Sequence, residues 1–220
     1  MMSSYQKTDL NQVKRGAKRA NYDKETIVSI LKEEYLCYVG YFYKGIPITI
    51  PTAYGYKDNA IYIHGSLKNR MLCSLLEMDT VSLTVSKVNG FVLARSAFHH
   101  SVNYKSVSIF GKPIKIENKQ AKMDALYLVT EQFLPGRWDE VRLPNEKELN
   151  ATLIIKIEIE QASAKIRTGD PADEKFDYDT DYWAGILPLK TVALPEINDR
   201  KLSDGIPVPN SVIEYQKKNQ

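Results

Sequence analysis

The sequence predicts a mainly β protein, a closed or split antiparallel barrel with short helices. Strand-like runs dominate the chain, and the connections between them are mostly short, as in antiparallel barrels. The 220 residues suit one domain, or one domain with a small lobe. Hydrophobic residues make up 43% of the chain and charged residues 26%, which is ordinary globular usage and excludes disorder of the whole chain.

The first half of the chain predicts a helix, three strands and a second helix. Asp23 is placed to cap a helix that runs to Glu34. Three runs rich in β-branched and aromatic residues then predict strands, at 35–43, 47–56 and 60–64. Lys44-Gly45 marks the turn between the first two strands. Apolar residues at helical spacing within 66–78 predict the second helix.

The second half of the chain predicts three longer strands separated by helices. The strands are expected at 81–92, 104–116 and 152–159, and the helices at 118–133 and 146–150. Asn89-Gly90 is a strong hairpin signal that breaks the first of these strands. Gly111 is expected at a bulge in the second.

Charge divides the chain into a basic N-terminal arm of residues 1–24, a barrel domain of 25–193 and a polar, Pro-rich tail of 194–220. The arm carries six Lys or Arg residues against two Asp. It could bind nucleic acid, lie solvated, or pack on a partner subunit. Few aromatic residues interleave with its cations, which argues against nucleic acid. The tail is expected to extend over a neighbour or to be disordered.

Several classes of protein and site lack their sequence signature. No apolar run approaches the ~20 residues of a membrane span, and the N-terminus lacks the apolar stretch of a signal peptide, so a cytoplasmic protein is expected. Two cysteines are too few for a disulfide scaffold, and no metal-ligand spacing predicts a metal site. The Gly-rich phosphate loops and the esterase motif are absent from the sequence.

The segment Ile61–Arg70 carries the strongest chemical signal. A strand ends in Gly65-Ser66 and leads directly into the predicted helix, whose N-terminus would offer free N–H groups to an anion. Lys68 and Arg70 place positive charge at a helix end that disfavours it, which points to an anionic guest such as a phosphate. A capped surface helix with solvated basic residues is the equally weighted alternative.

Two further segments could contact a ligand. The run 97–107 supplies polar side chains at the start of a strand, and these could hydrogen-bond a ring system. Its adjacent histidines, His99 and His100, point to opposite faces of a strand, which favours a structural or surface role over ligation of one metal. Arg137 and Trp138 could cover a bound ligand, although a loop Trp is as often a packing anchor.

With these motifs in order, the chain resembles the pyridoxamine 5'-phosphate oxidase-like flavoproteins, the FMN-binding split barrels, over about Arg15 to Val192. The nearest branch includes nitroimidazole-resistance-type and flavin-nucleotide-binding proteins. The resemblance rests on six segments: 51–54, 62–70, 101–107, 135–142, 164–169 and 183–185. It implies a six-stranded antiparallel Greek-key barrel, a homodimer, and FMN at the subunit interface.

The same resemblance implies which residues hold FMN. The stretch 63–70 would bind the phosphate and ribityl chain, 51–54 would lie along the isoalloxazine ring, and 101–106 would add contacts. With the two loop residues, the expected cofactor-binding set is Pro51, Thr52, Ala53, Tyr54, Ile63, His64, Gly65, Ser66, Lys68, Asn69, Arg70, Ser101, Asn103, Tyr104, Ser106, Arg137 and Trp138. The oxidase's Ser-Arg-Lys phosphate motif reads Leu67-Lys68-Asn69 here, followed by Arg70. The oxidase's C-terminal Arg…His signature is missing, which argues against vitamin B6 oxidation.

These features favour an FMN-dependent oxidoreductase acting on a small molecule. The flavin would perform the electron chemistry, so the protein needs no nucleophile of its own. His64 aligns with a histidine near the flavin in the nitroimidazole-resistance branch, and it could act as an acid or only position the Gly65-Ser66 turn. The main alternative is a non-catalytic protein of the same fold that binds or senses flavin or haem. A nucleic-acid-binding barrel is the weaker third hypothesis.

Overall fold

The computed structural model describes residues 3–220, whose strands form one antiparallel sheet. The nine strands of this part of the chain are β1 (Ala20–Asn21), β2 (Leu36–Tyr43), β3 (Ile46–Ala53), β4 (Gly55–Lys57), β5 (Ala60–Ser66), β6 (Val81–Leu93), β7 (Ser101–Lys115), β8 (Thr152–Arg167) and β9 (Gly185–Pro188). The order along the sheet is β3-β2-β6-β7-β8-β5-β4, with β1 added to β8 and β9 to β6. The mainly β prediction is confirmed. The expected count of six strands is not confirmed, because short strands extend the sheet at its edges.

The two ends of this strand order meet in one bent segment. β3 and β4 stand at opposite ends of the order, yet only Tyr54 separates them in the chain. The sequence predicts one strand over 47–56. The segment bends instead, so that its first part pairs with β2 and its last part with β5. This bend closes the sheet on itself as a barrel.

Five helices connect or flank the strands of residues 3–220. They are α1 (Lys24–Glu33), α2 (Arg70–Leu75), α3 (Lys119–Phe133), α4 (Glu146–Ala151) and α5 (Asn210–Lys218). Asp23 caps α1, as predicted, because its carboxylate accepts a hydrogen bond from the Thr26 N–H at 2.9 Å. Asn118 caps α3 in the same way, and Asn145 with Glu148 forms a capping box on α4.

The barrel core is filled by the inward faces of the strands. β5 shows the alternation clearly, since Ile61 and Ile63 are fully buried while His64 is exposed. α1 covers one part of this core, and its backbone is tied to the sheet through Tyr54. The Tyr54 side chain is fully buried, and its hydroxyl donates to the Leu31 carbonyl at 2.7 Å.

Three local predictions differ from the structure. Asn89-Gly90 is not a hairpin but an irregularity inside the 13-residue β6, where Gly90 packs against the backbone of β9. The helix predicted from residue 66 begins at Arg70, because Ser66 stays in the sheet opposite Thr152. β8 continues eight residues beyond its predicted end. A register shift lies at Gly111, where the sequence predicts a bulge, but the extra residue is Glu160 of β8 and not a residue of β7.

The N-terminal arm packs on the barrel of its own chain. Residues 1 and 2 lie outside the described residues. Tyr5 is 8% exposed, and the Asn11 amide, only 2% exposed, donates to the Ala162 carbonyl of β8 at 3.3 Å. Lys7 and Lys24 lie over the rings of Tyr22 and Tyr5. The arm is therefore partly ordered by burial within one subunit.

The C-terminal tail ends in a docked helix, α5, rather than in an extended or disordered segment. Ser211, at the start of α5, is buried, and its backbone N–H donates to the Glu140 carboxylate at 3.0 Å. The Gln216 amide donates to the Leu194 carbonyl at 3.0 Å. The tail therefore folds back onto the barrel domain.

An ion-pair cluster joins the end of α1 to β6 and β7. The Glu33 carboxylate accepts hydrogen bonds from Lys87 at 2.9 Å and Lys105 at 3.0 Å, and Lys87 also pairs with Glu34. Partial burial alone would raise the pKa of Glu33, but the two lysines more than offset this effect and lower the pKa from its ordinary 4.5. The ionised form is therefore favoured in the folded state.

Acid is expected to remove the contribution of this cluster. Because the folded-state pKa of Glu33 is lowered, its stabilisation is present above the unfolded pKa and is lost as pH falls through the folded pKa. Removing this carboxylate with Glu33→Gln should lower the free energy of unfolding by about 0.2–1 kcal/mol at pH 7, the usual size for a solvated ion pair. The difference should shrink toward pH 3 in urea unfolding series. A difference that stays constant with pH would contradict this account.

Within residues 3–220, no helix is both long enough and apolar enough to cross a lipid bilayer.

Candidate functional site

The end of β5 places His64 on the outward face of the barrel. Ile61 and Ile63 point into the core, so Tyr62 and His64 share the opposite face. The His64 ring is open to solvent on one side. Neighbouring chain atoms remove water from the other side and lower the pKa of His64 below its ordinary 6.5. The neutral imidazole therefore dominates at neutral pH.

A tight turn connects β5 to α2. The Asn69 N–H donates to the Ser66 carbonyl at 2.9 Å, and the Lys68 N–H donates to the Ser66 hydroxyl at 3.2 Å. The Asn69 side chain caps α2 by accepting from the Leu72 N–H at 3.1 Å. This turn folds back over Gly65, where a Cβ would lie 3.1 Å from a Leu72 methyl and 3.2 Å from the Asn69 amide nitrogen. A larger residue at position 65 would therefore require the Leu72 or Asn69 side chain to shift by a few tenths of an ångström.

Arg70 and Lys68 are two exposed cations at this turn. The Arg70 Nε donates to the Tyr41 hydroxyl at 3.3 Å, and its guanidinium lies 4.7 Å from the centre of the Tyr43 ring. These contacts fix Arg70 against β2. Neither Arg70 nor Lys68 takes part in an ion pair within the described chain. Both charges are therefore available to an external anion.

Tyr41 and Tyr43 are the two residues that the sequence prediction of this site omits. They lie in β2, about 30 residues before Arg70 in the chain. In the sequence, Tyr41 and Tyr43 belong to an aromatic run that is typical of a strand. No local motif links these two residues to the turn. Only the closure of the barrel brings β2 beside α2 and reveals that these rings position the arginine.

The stretch 51–54 lies beside the end of β5 that carries His64, where the pairing of β4 with β5 ends; this place is called here the opening of the barrel. The pairing of β4 with β5 stops at Gly55 and Tyr62. The residues before Gly55 pair with β2 instead, and β5 continues past Tyr62 beside β8. Ala53 and His64 therefore lie on either side of the gap between β3 and the end of β5. Pro51 is exposed, and Thr52 and Ala53 are half-buried. The Tyr54 side chain belongs to the core and its backbone N–H donates to the Tyr35 carbonyl at 3.1 Å, so neither group is available to a ligand.

The stretch 101–106 lies elsewhere on the subunit. Tyr104 pairs with Arg167 at the end of β8, whereas Ser66 pairs with Thr152 at its beginning. The 16 residues of β8 therefore separate the two predicted contact regions. Ser101 and Tyr104 are half-buried, and Ser106 donates its hydroxyl to the Lys165 carbonyl at 3.3 Å. Asn103 is buried and donates to the Gly169 carbonyl at 3.2 Å.

Arg137 and Trp138 are held at the end of α3. The Trp138 N–H donates to the Glu131 carboxylate at 3.0 Å, and its indole packs edge-on against the Tyr127 ring at 5.8 Å. Arg137 lies 3.7 Å from Glu140 and lines a cavity of about 450 Å³ with the C-terminal tail. The structure thus gives both residues packing and pairing partners, and it does not group them with the 63–70 stretch.

No cluster of three or more His, Cys, Asp or Glu side chains in residues 3–220 is arranged to hold a metal ion. The chemistry available at the 63–70 turn is instead that of anion binding. It combines an exposed hydroxyl, two unpaired cations and the two N–H groups at the start of α2, those of Arg70 and Met71, that the Asn69 cap does not bind. The neutral imidazole of His64 lies two to six residues before the hydroxyl and the two cations.

Comparison with known proteins finds a family and several related structures. The sequence profile described as pyridoxamine 5'-phosphate oxidase matches residues 23–166. A search of curated proteins finds no match.

Two solved structures are similar over nearly the whole chain. The flavocytochrome Anf3 from Azotobacter vinelandii is 33% identical, with 94% of this chain and 97% of that chain covered at a TM-score of 0.89. The FAD and heme binding protein from Mycobacterium smegmatis is 31% identical, with 90% and 97% covered at a TM-score of 0.85. A protein from Bacteroides thetaiotaomicron, named for 5-nitroimidazole antibiotic resistance, is 22% identical, with 67% and 86% covered at a TM-score of 0.56, and shares the fold.

Proposed function

The chain belongs to the pyridoxamine 5'-phosphate oxidase family of split barrels, and from this membership we propose that it binds a flavin nucleotide for the oxidation or reduction of a small molecule. One observation carries the proposal: Lys68 and Arg70 present unpaired charge beside the Ser66 hydroxyl at the opening of the barrel. These groups suit a phosphate ester. The flavin supplies the electron chemistry, and the protein supplies binding and orientation.

We infer FMN first, because the anion site at 66–70 fits one phosphate. The one phosphate of FMN matches one cradle of two cations and a hydroxyl. The similar proteins from Azotobacter and Mycobacterium are a flavocytochrome and an FAD- and heme-binding protein, which makes FAD the alternative. Titration of flavin-free protein with FMN, FAD and riboflavin, followed by flavin fluorescence, tests the proposal. Binding of FMN at least tenfold tighter than riboflavin supports it, and equal binding of both contradicts a phosphate site.

A homodimer with the flavin between subunits accounts for the separation of the predicted contacts. The 66–70 turn and the 101–106 stretch stand at opposite ends of β8, so a small flavin reaches both only if the second stretch comes from another copy. Leu36, Tyr38 and Phe42 form an exposed apolar row on β2 that a second copy would cover. Sedimentation of the flavin-loaded protein as a monomer would contradict this arrangement.

His64 is proposed as the proton donor to a substrate reduced by the flavin. It is exposed beside the anion site, and its lowered pKa means that only a minority of the rings are protonated at neutral pH. His64→Gln keeps a polar side chain of similar reach. The variant should bind flavin like the parent but reduce a quinone or nitro compound at least tenfold more slowly.

The pH profile distinguishes this role from a structural one. Activity of the parent should rise as pH falls through the His64 pKa, because the acid form is the donor. The His64→Gln variant should lack that rise. Loss of flavin itself from the variant would instead mean that His64 only positions the Gly65-Ser66 turn.

Haem binding is a second candidate function, because the two proteins above 30% identity are a flavocytochrome and an FAD- and heme-binding protein. Two histidine side chains, His100 and His64, could each serve as an axial ligand of the haem iron. His100 is exposed, and its Nδ1 lies 3.0 Å from the Ser96 carbonyl, which leaves Nε2 free when Nδ1 carries the proton. His64 is exposed and largely neutral. His99 is less suited, since its Nε2 lies 3.8 Å from Glu174.

Haem reconstitution tests this candidate independently of any activity. The parent should develop a Soret band with one equivalent of haemin, and either His64→Ala or His100→Ala should abolish it, identifying the ligand. A Soret band unchanged in both variants would exclude both imidazoles.

A further inference from the structure

Three cations gather at the end of β8 that lies away from the 66–70 turn. They are Arg19, Lys165 and Arg167, called here the β8-end cluster. β1 pairs Ala20 with Lys165, which brings the preceding turn over the Lys165 side chain. A Cβ on Gly16 in that turn would lie 3.9 Å from the Lys165 Nζ and 3.9 Å from the Arg19 Cδ. Neither the basic arm nor the 164–169 segment has a role in the function proposed above.

Arg167 is a buried cation without an anion. It is 7% exposed, and its Nη1 donates to the Asn103 side-chain oxygen, with weaker contacts to the carbonyls of Gly169 and Asp170. Its Nε is buried and has no hydrogen-bond partner. None of these acceptors is a carboxylate. Burial and then the nearby Arg19 charge lower the pKa of Arg167, because both disfavour the charged form.

The ion pairs of residues 3–220 include none of the three cluster cations. Burial of an unpaired charge is unfavourable unless an opposite charge compensates it. Three neighbouring cations without a carboxylate therefore form a region where a bound anion would be stabilised. Within the cluster Arg167 is buried, Lys165 is half-buried and Arg19 is exposed, whereas both cations of the 66–70 turn are exposed.

The face of the sheet beside the cluster adds hydroxyl groups. Tyr104 is the cross-strand partner of Arg167, and Ser106 is the partner of Lys165, so all four side chains share one face of β7 and β8. Tyr104 and Ser106 are half-buried, as is Lys165. The Ser106 hydroxyl donates to the Lys165 carbonyl at 3.3 Å and would have to turn toward an anion, so Tyr104 is the main hydroxyl donor of this face. Guanidinium, ammonium and hydroxyl groups on one face match the charge and the acceptor oxygens of phosphate.

We propose that the β8-end cluster binds a phosphate or pyrophosphate group of a nucleotide, as a second anion site separate from Ser66–Arg70. Two sources could supply that group. One is the second phosphate of FAD held across a dimer, and for this source the inference rests on the function proposed above. The other is a free nucleotide, and binding of this source does not depend on a bound flavin.

Charge-removing variants at the two less buried cations test the cluster. Arg19→Gln and Lys165→Gln remove cluster charge without touching the buried Arg167. Lys147→Gln is the matched control, because Lys147 is exposed on α4, forms no ion pair, and lies outside the cluster. The probes are FMN, FAD and inorganic pyrophosphate, measured by calorimetry on the full chain, with thermal unfolding to verify that each variant folds.

Each outcome has a defined meaning. FAD binding weakened about tenfold by both cluster variants, with FMN binding unchanged, assigns the site to the second phosphate of FAD. Pyrophosphate binding to the parent that both variants weaken to the same degree assigns it to a free nucleotide, and this result would stand even if no flavin bound. If no probe distinguishes the cluster variants from Lys147→Gln, the proposal is wrong.

Discussion

Gly111→Ala is expected to unfold the barrel or to destabilise it by about 3 kcal/mol or more. A Cβ at Gly111 would lie 1.9 Å from the Glu158 carbonyl oxygen and 2.9 Å from its carbon. Both atoms are backbone, so neither can move without separating β7 from β8. At this point the pairing steps from Phe110 with Gln161 to Gly111 with Ile159, and the two longest strands cross closely.

Gly40→Ala is the matched control for this prediction. Gly40 also lies within a strand, but the nearest atom to its added Cβ is the Ser82 hydroxyl at 3.3 Å, a side chain that can rotate. Its cost should stay below about 1 kcal/mol. Thermal and urea unfolding of both variants decides the matter. Equal stability of Gly111→Ala and the parent would mean that β7 and β8 do not meet as described.

The double variant Lys68→Ala/Arg70→Ala is expected to weaken FMN binding by about a hundredfold, with about tenfold from each single change. A hydrogen bond to a charged group is worth about 1.5–3 kcal/mol, and 1.4 kcal/mol corresponds to a factor of ten. Arg70 should contribute at least as much as Lys68, because Tyr41 and Tyr43 hold its guanidinium in place. Fluorescence titration of flavin-free protein measures these affinities.

Riboflavin and a distant charge provide the controls for this experiment. Riboflavin lacks the phosphate, so its binding should be unaffected by the double change. Lys147→Ala removes one exposed cation elsewhere and should leave FMN binding unchanged. If the double variant binds FMN as the parent does, the phosphate lies at another place on the protein.

Local sequence patterns predict most strands and helices correctly because alternation and capping act over a few residues. Ile61 and Ile63 face the core as their spacing indicates, and Asp23 caps α1. Lys44-Gly45 forms the expected turn, with φ values of 50° and 76° that suit a tight hairpin. Each of these features depends on neighbours in the chain.

Structural features that depend on contacts between residues far apart in the chain cannot be predicted from local sequence patterns. β9 passes close to Gly90, so that a Cβ there would lie 3.0 Å from the Leu187 carbonyl oxygen. The glycine of the Asn89-Gly90 pair therefore makes room for β9 and does not form a hairpin turn. Ser66 and Asn69 are both residue types that cap helices well. Because Ser66 pairs with Thr152 in the sheet, α2 begins after Asn69, and Asn69 is its cap. The sequence does not indicate helix α5, because this helix has only nine residues and docks through the distant contact of Ser211 with Glu140.

In the candidate site, too, local features can be predicted from the sequence and distant contacts cannot. The sequence indicates the 63–70 turn, because the strand, the turn and the cations are contiguous in the chain. It does not indicate that Tyr41 and Tyr43 hold Arg70, nor that the predicted contacts at 101–106 lie at the other end of β8. Those relations arise from the closure of the barrel.

The most direct measurement of the central claim is the visible spectrum of the purified protein, with chromatography of the cofactor released by denaturation. The account predicts a yellow protein with a flavin spectrum, which releases one FMN or FAD per subunit that co-elutes with the standard. Protein that is colourless, that releases no flavin and that binds neither FMN nor FAD on titration would contradict it.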